Sequence, residues 1–529
     1  MVIAQQGIAA TSNVLASSAG AQILADGGSA VDAAIAANAV LGLVEPMMNG
    51  IGGDLFVLHW EAKSGTLTGL NASGPAPKAL SPDLVRGQGF HAMNEAGVHC
   101  VTVPGAVDGW GKMHAKFGKL PWPRLFGPAI AYAEQGFPVS EIIQELWADA
   151  PTLGKLRSDP ESARVFLNSD GAPALGEVFR NPDLASSYRR IASDGPEAFY
   201  RGEIAKAIVG TCAARAGTMT ADDLAAFSAE WVEPISIDYR GWRIFELPPN
   251  GQGMAALEML NIMEHLPADS EGPLGAAELH RRIEAMKLAY ADCYRYNADP
   301  RFADVPVSTL LSKEWARTRS AGIDPAKANG DFLPGNVPGT DTVYLTVVDR
   351  DGNIASWIQS IYAGFGSGIT VQGMGFPLQN RGAGFSLDPR HPNVLAGGKR
   401  PYHTIIPGFM QKGDQHVGFG IMGGANQPLA HAQFVSNVVD YGMNMQQAME
   451  TPRFFKGGPA GCEVSMEARL PEASLRQLEN SGHIISVRPE YSQEMGRGQA
   501  ILHHSSTKTN YAASDPRSDG AAIPEPVRV

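Results

Sequence analysis

From Gly339 to Asn353 the chain reads GTDTVYLTVVDRDGN, and this run restricts the fold more than any other part of the sequence. The stretch just before Thr342, NGDFLPGNVPGT from Asn329 to Thr340, is rich in Gly, Pro, Asn and Asp and has no periodicity, which predicts an exposed loop or linker. Beyond it, TVYLTVVDRDGNIASWIQS sets apolar, β-prone residues on both sides of Asp351-Gly352-Asn353, a strong hairpin signal. Thr342 therefore heads a sheet strand directly after a linker. On residue type alone this has a plain explanation, because threonine opens many strands through β propensity. It also has a chemical one. If the backbone were cut ahead of Thr342, its hydroxyl would lie beside a free α-amino group of unperturbed pKa near ~8, a built-in general base that an internal threonine lacks.

The rest of the chain alternates helix and sheet. Helical spacing is read from about Ala9 to Val44, with Gly27-Gly28 closing a first helix and Ser29 capping a second, Asp32 standing three positions later. LFVLHWEA and TLTGLNAS read as strands joined by a Lys63-Ser64-Gly65 turn. Gly105 to Tyr296 reads as mostly helical, through GAVDGWGKMHAKFG, WPRLFGPAIAYAEQG and AAELHRRIEAMKLAYADCYRY. After a long loop come two more strand runs, HTIIPGFMQK and HVGFGIMGG, turned by Gly413-Asp414, and a helix from about Gln427 to Asn437.

With 529 residues, 44% hydrophobic and 18% charged, the chain can bury a large core and is not disordered. A formal charge of −12 argues against nucleic acid as a partner. Cys100, Cys212, Cys293 and Cys462 are far apart without metal spacing and read as reduced core residues, and the histidines show no HExxH or similar spacing, so no metal and no cofactor is expected. The longest apolar stretch, Ala33 to Val44, is too short for a bilayer and the opening MVIAQQGIAATSN lacks leader features, so a cytoplasmic protein is expected, with no membrane partner.

TVYLTVVDRDGN, FGSG at Phe365 to Gly368, KRP at Lys399 to Pro401, Gly423-Gly424 and DYGMNMQQAMETPRF resemble the γ-glutamyltranspeptidase family. So do ADGGSAVDAAIAANAVLGLVEPMMNGIGGD, VPGAVDGW, GTMTADDLAAF and ELPPNGQG in the first half, and ASDPRSDG near the end. The resemblance spans nearly the whole chain in the family's order. It implies an α/β fold, the four-layer αββα sandwich of N-terminal nucleophile hydrolases, made as one precursor that cuts itself between Asp341 and Thr342. Residues 1–341 are then the large subunit, carrying helical layers and part of the sheets, and 342–529 the small one. By the same resemblance Thr342 is the nucleophile, Ser360 a second hydroxyl beside its new α-amino group, and Gly423 and Gly424 the oxyanion hole, where glycine permits close approach. A strand-end serine and a plain turn are the simpler readings of Ser360 and the glycine pair.

The departures from the family pattern bear on substrate. Ser73 stands where an arginine grips the α-carboxylate of γ-glutamyl substrates; Ala383 and Gly384 replace an acidic pair that holds the α-amino group; Tyr362 replaces an asparagine; and His403 and Thr404 replace a serine pair. His403 either binds an anionic group or fills space against Tyr402. Arg381 is a new cation in the same loop, either a solvated arginine or a fork for a carboxylate. A zwitterionic head group leaving water needs partners of both signs, which these positions no longer supply. The expected function is a self-processing amidohydrolase that cleaves a small carboxylate-bearing, oxamate-like amide through an acyl-threonine. The alternatives are a γ-glutamyltransferase or glutathione hydrolase, a glutaryl or cephalosporin acylase, and an uncleaved relative kept as a binding protein. The expected partners are a small-molecule substrate and the chain's own two subunits, with a homodimer of processed heterodimers left open.

Overall fold

The computed structural model describes residues 1–169, 171–331 and 341–527, Asp341 by its backbone alone. Two seven-stranded sheets face each other at its centre. In chain order their strands are β1 (Val2–Ala4), β2 (Ile8–Thr11), β3 (Asp54–Glu61), β4 (Thr66–Ala72), β5 (Glu230–Val232), β6 (Ile235–Tyr239), β7 (Trp242–Glu246), β8 (Asp341–Val348), β9 (Ile354–Tyr362), β10 (Gly408–Lys412), β11 (Gln415–Met422), β12 (Arg497–His504), β13 (Thr509–Ser514) and β14 (Ala521–Pro524). The first sheet runs β14-β2-β8-β9-β3-β4-β5 and the second β1-β13-β12-β11-β10-β7-β6, every pairing antiparallel.

The two-residue period of a strand sorts β8 between layers. Val343, Leu345 and Val347 point outward, into a core shared with helices α1 (Val14–Ala25), α2 (Ala30–Val44) and α3 (Ala106–Phe117). Tyr344 and Val348 point inward, into a core shared with Ile405, Phe409 and Ile501 from the second sheet's side. On that sheet's outer face, Ile244, Met410, Val417 and Phe419 pack on α4 (Gly253–Glu264), α5 (Ala276–Tyr296) and α6 (Gln427–Val439). The result is the four-layer αββα sandwich. Strands from before and after Thr342 interleave in both sheets.

Helix α2 begins as its sequence predicts: Ser29 Oγ accepts the Asp32 N–H, and Asp32 Oδ2 accepts the Ser29 N–H. Three expectations are corrected. Helical spacing does not start at Ala9, because Ile8–Thr11 is a strand paired with Leu345–Val348, and α1 starts at Val14 under an Asn13 cap. The middle of the chain contributes β5, β6 and β7, which the helical reading passed over. HTIIP precedes its strand, which starts only at Gly408. The linker expected over 329–340 lies outside the described residues from 332 onward. No helix among the described residues is long and apolar enough to cross a membrane.

Glycine lets the two sheets approach where β11 crosses β8. A Cβ on Gly418 would come 2.6 Å from Thr346 Oγ1, and one on Gly420 would come 2.4 Å from the Tyr344 ring. Tyr344 has nowhere to go, being fully buried with its hydroxyl 2.8 Å from Ser356 Oγ. Gly420→Ala is therefore expected to cost about 1–3 kcal/mol through overpacking. The check is an unfolding transition at lower urea than wild type, and an unchanged midpoint would contradict this packing.

Candidate active site

Strand register gathers the polar residues. The ladder pairs Tyr344 with Ile358, which sets Thr342 level with Ser360, and Ser360 pairs with Asp54 on β3. Leu55 pairs with Ala72, so the same row reaches Ser73 one residue past β4. Thr342, Ser360, Asp54 and Ser73 thus line one end of the first sheet, all fully buried. A bulge follows at once, since Asp341 pairs with Tyr362 rather than with the next residue in register. Bulges re-aim side chains and gather near active sites. Here the Thr342 hydroxyl donates to Ser360 Oγ at 3.2 Å.

Ser360 Oγ also accepts the Tyr362 N–H at 2.8 Å and Nη2 of Arg381 at 3.2 Å. Arg381 opens a short 3-10 turn, Arg381–Gly384, and its other terminal nitrogen donates to Thr404 Oγ1 at 2.6 Å. Its guanidinium lies 4.1 Å from the centre of the Tyr362 ring. Tyr362 holds a φ of 82°, a region that disfavours a bulky residue and is found where function fixes a conformation. The reading of Arg381 as a solvated loop residue is overturned, because it is 0% exposed. Burial pulls its pKa down to about 10, and its Nε is a buried donor without a hydrogen-bond partner among the described residues.

Asp54 is the functional candidate that sequence reasoning missed. Its Oδ1 accepts the Gly74 N–H at 3.0 Å and the Gln379 amide at 2.9 Å, and its Oδ2 lies 3.0 Å from His403 Nε2. Burial pushes its pKa up to about 7, against the pull of Arg381. The available signal was a carboxylate directly heading the apolar run LFVL in NGIGGDLFVL. His403 is not the anion binder it was expected to be in one reading. It faces a carboxylate, and burial with Arg381 and Arg400 nearby pushes its pKa far down. Its Nδ1 accepts the Ile405 N–H at 3.3 Å, which leaves Nε2 to carry the proton toward Asp54. The ring packs on Phe56 at 4.7 Å.

Thr404 touches Arg381 directly, whereas Ser73 sits at one remove. Its hydroxyl donates to Asn71 Oδ1 at 2.7 Å and accepts from Asn250, whose backbone carbonyl takes the His403 N–H. Gly423 and Gly424 directly follow β11, with φ of 138° and 56°. Gly418 over Thr346 and Gly420 over Tyr344 make a two-residue step that carries the end of β11 to the level of Thr342. Gln252 ties the pieces together by donating to the carbonyls of Thr404 and Gly424 at 2.6 and 2.8 Å. Neither the Gly423 nor the Gly424 N–H donates a hydrogen bond among the described residues. Two free N–H groups at this level can receive a developing oxyanion.

Among the described residues one cluster has metal-ligand chemistry, His280, Glu284 and His483, with candidate atoms within 4.8 Å of one another. Lys287 already pairs with Glu284 at 2.6 Å and binds the Asn329 carbonyl, and burial with Lys287, His280 and Lys456 holds His483 down to about 3. Two ammonium groups beside it oppose a bound cation, so the cluster clasps the chain at Asn329. The cysteines are free, three buried and Cys462 half-buried.

The sandwich and this site define a class, and the chain belongs to the gamma-glutamyltranspeptidase family, whose pattern matches residues 16–525. It is an enzyme of that family. Over 527 residues it is 36% identical to the glutathione hydrolase-like YwrD proenzyme of Bacillus subtilis (strain 168), covering 99% of each chain. It is 36% identical over 530 residues to the oxamate amidohydrolase proenzyme of Klebsiella pneumoniae, covering 98% of each. The crystal structure of cephalosporin acylase from Bacillus halodurans matches with a TM-score of 0.93 at 42% identity, over 100% of this chain and 97% of that one.

Proposed function

We propose that this protein is a self-processing amidohydrolase of small amides that carry a carboxylate close to the scissile carbonyl. In the first reaction Thr342 Oγ attacks the Asp341 carbonyl carbon, the peptide C–N bond breaks as the hydroxyl proton passes to the nitrogen, and an ester forms. That step leaves the α-amino group free, and water then hydrolyses the ester, releasing the Asp341 carboxylate and regenerating the Thr342 hydroxyl. The two subunits, 1–341 and 342–529, stay together because both contribute hydrogen-bonded strands to each sheet. In the second reaction the α-amino group takes the Oγ proton, Oγ attacks the substrate carbonyl, and the Gly423 and Gly424 N–H groups receive the oxyanion. Collapse returns the proton to the departing amine and leaves an acyl-threonine, which water resolves. Ser360 orients Thr342, and Tyr362 and Thr404 hold the guanidinium.

The substrate reading rests on one observation, the fully buried Arg381 with a donor unpartnered among the described residues, linked to Thr342 through a single hydroxyl. Two successive contacts of 3.2 Å join Thr342 Oγ to Arg381 Nη2. A carboxylate forked onto this guanidinium reaches Thr342 best with a short spacer, as in an oxamate-like substrate, where it adjoins the amide carbonyl. Asp54 already accepts three donors, so it is not free to take a substrate ammonium group. The similarity to an oxamate amidohydrolase proenzyme agrees with this preference, and the similarity to a cephalosporin acylase gives the longer glutaryl amides as the second reading. The test is kcat/KM for oxamate, a glutaryl amide and a γ-glutamyl anilide with the purified protein. Oxamate is expected to lead, and a lead for the γ-glutamyl anilide would overturn the proposal.

A further inference from the structure

An anion entering a buried site that already holds fixed charges changes the protonation of its neighbours. The ionisable groups around Arg381 are few. From β3 comes Asp54, from the loop before β10 come His403, Tyr402 and Arg400, from β9 comes Tyr362, which also feels the exposed carboxylate of Glu95, and Tyr200 also feels Asp54. In the cut chain the α-amino group of Thr342 joins them. Burial raises the two tyrosines beside Arg381, so both are already protonated when the site is empty. Arg381 is a cation, and Arg400 pairs with Glu230 at 2.8 Å. Asp54 accepts at both oxygens, and His403 donates to it. The Asp54–His403 couple is thus the buried acceptor, among the described side chains here, that can take up another proton.

We propose that Asp54 and His403 act as a charge-balancing couple for anionic substrates: a carboxylate that binds Arg381 displaces Asp54 as the guanidinium's counter-charge, and the couple takes up one proton. This rests on the reading of Arg381 as the carboxylate anchor. Its geometric basis is that Asp54 and Arg381 both converge on Ser360, the first as its cross-strand partner and the second by hydrogen bond. Asp54 is held at about 7 in the empty site, and Arg381 is the largest influence pulling it down. A bound anion offsets that pull, so the pKa of the couple rises further. Above pH 7 the empty couple is ionised and the liganded couple is protonated. Binding then weakens as pH rises, by up to about tenfold per pH unit between the two pKa values. The role is specificity, because a neutral amide brings no charge to balance.

The experiment is calorimetric titration of the processed enzyme with lactate, a small monocarboxylate without a leaving amine, at pH 8 in buffers of different ionisation enthalpy. About one proton taken up per lactate bound is expected for wild type, and none for Asp54→Asn. The inhibition constant of lactate against amide hydrolysis should rise with pH above 7 in wild type. Binding without proton uptake overturns this inference while leaving Arg381 as an anchor. Uptake that persists in Asp54→Asn assigns the proton to the Thr342 α-amino group and also overturns it. Failure of lactate to bind removes the anchor and the couple together. Should Asp54→Asn not fold, the same titration of the uncut Thr342→Ala chain, which has no free α-amino group there, decides: about one proton taken up supports the couple, and none overturns it.

Discussion

Thr342→Ala is expected to remain one chain of 56.1 kDa and to hydrolyse no amide, a fall in kcat of roughly 10⁴ to 10⁶. In the proposed mechanism both losses trace to one oxygen, which serves first against the Asp341 carbonyl and then against substrate. Alanine also removes the donor to Ser360 Oγ, but it leaves the β8–β9 ladder intact, so the fold should persist. Thr342→Ser keeps the hydroxyl while losing the methyl group that restricts its rotamer, so cutting and turnover should both continue at reduced rates. Gel electrophoresis and an ammonia-release assay on the two variants separate chemistry from structure. An uncut but active Thr342→Ala protein would falsify the nucleophile assignment.

Arg381→Ala carries the second large effect. Truncating one partner of a buried, hydrogen-bonded charge pair costs about 2–5 kcal/mol, roughly 30- to 4,000-fold in kcat/KM. The loss should fall on oxamate and spare oxamide, its neutral counterpart, because only oxamate presents a carboxylate to the guanidinium. Self-cleavage needs no substrate carboxylate and should proceed. Arg381→Lys should recover little, since an ammonium cannot form the paired fork or stack on Tyr362. Equal losses for oxamate and oxamide would mean that Arg381 only braces Ser360 and Thr404.

What could be read from the sequence follows the range of the interactions concerned. The Thr342 strand, its hairpin and the Ser29 cap rest on neighbouring residues, and those features are where the sequence places them. Residues 9–11 misled because alanine favours helix, whereas pairing with β8 decides their state. Strands β5 to β7 are short and lie among helices, so periodicity gave them little weight. Asp54 needed three-dimensional information: its partners Gly74, Gln379 and His403 come from distant segments, and its place beside Ser360 depends on register. For Arg381, charge was visible but burial was not. A lone arginine in a Gly-rich loop is ordinarily solvated, and only the packed turn around it excludes water.

The most direct measurement is N-terminal sequencing with intact mass of the freshly purified protein. Two chains are expected, one ending at Asp341 and one opening Thr-Val-Tyr-Leu, with Thr342 gaining the mass of an acyl group when turnover is quenched. A single 56.1 kDa chain that still hydrolyses amides, or a cut at any other bond, would contradict this expectation.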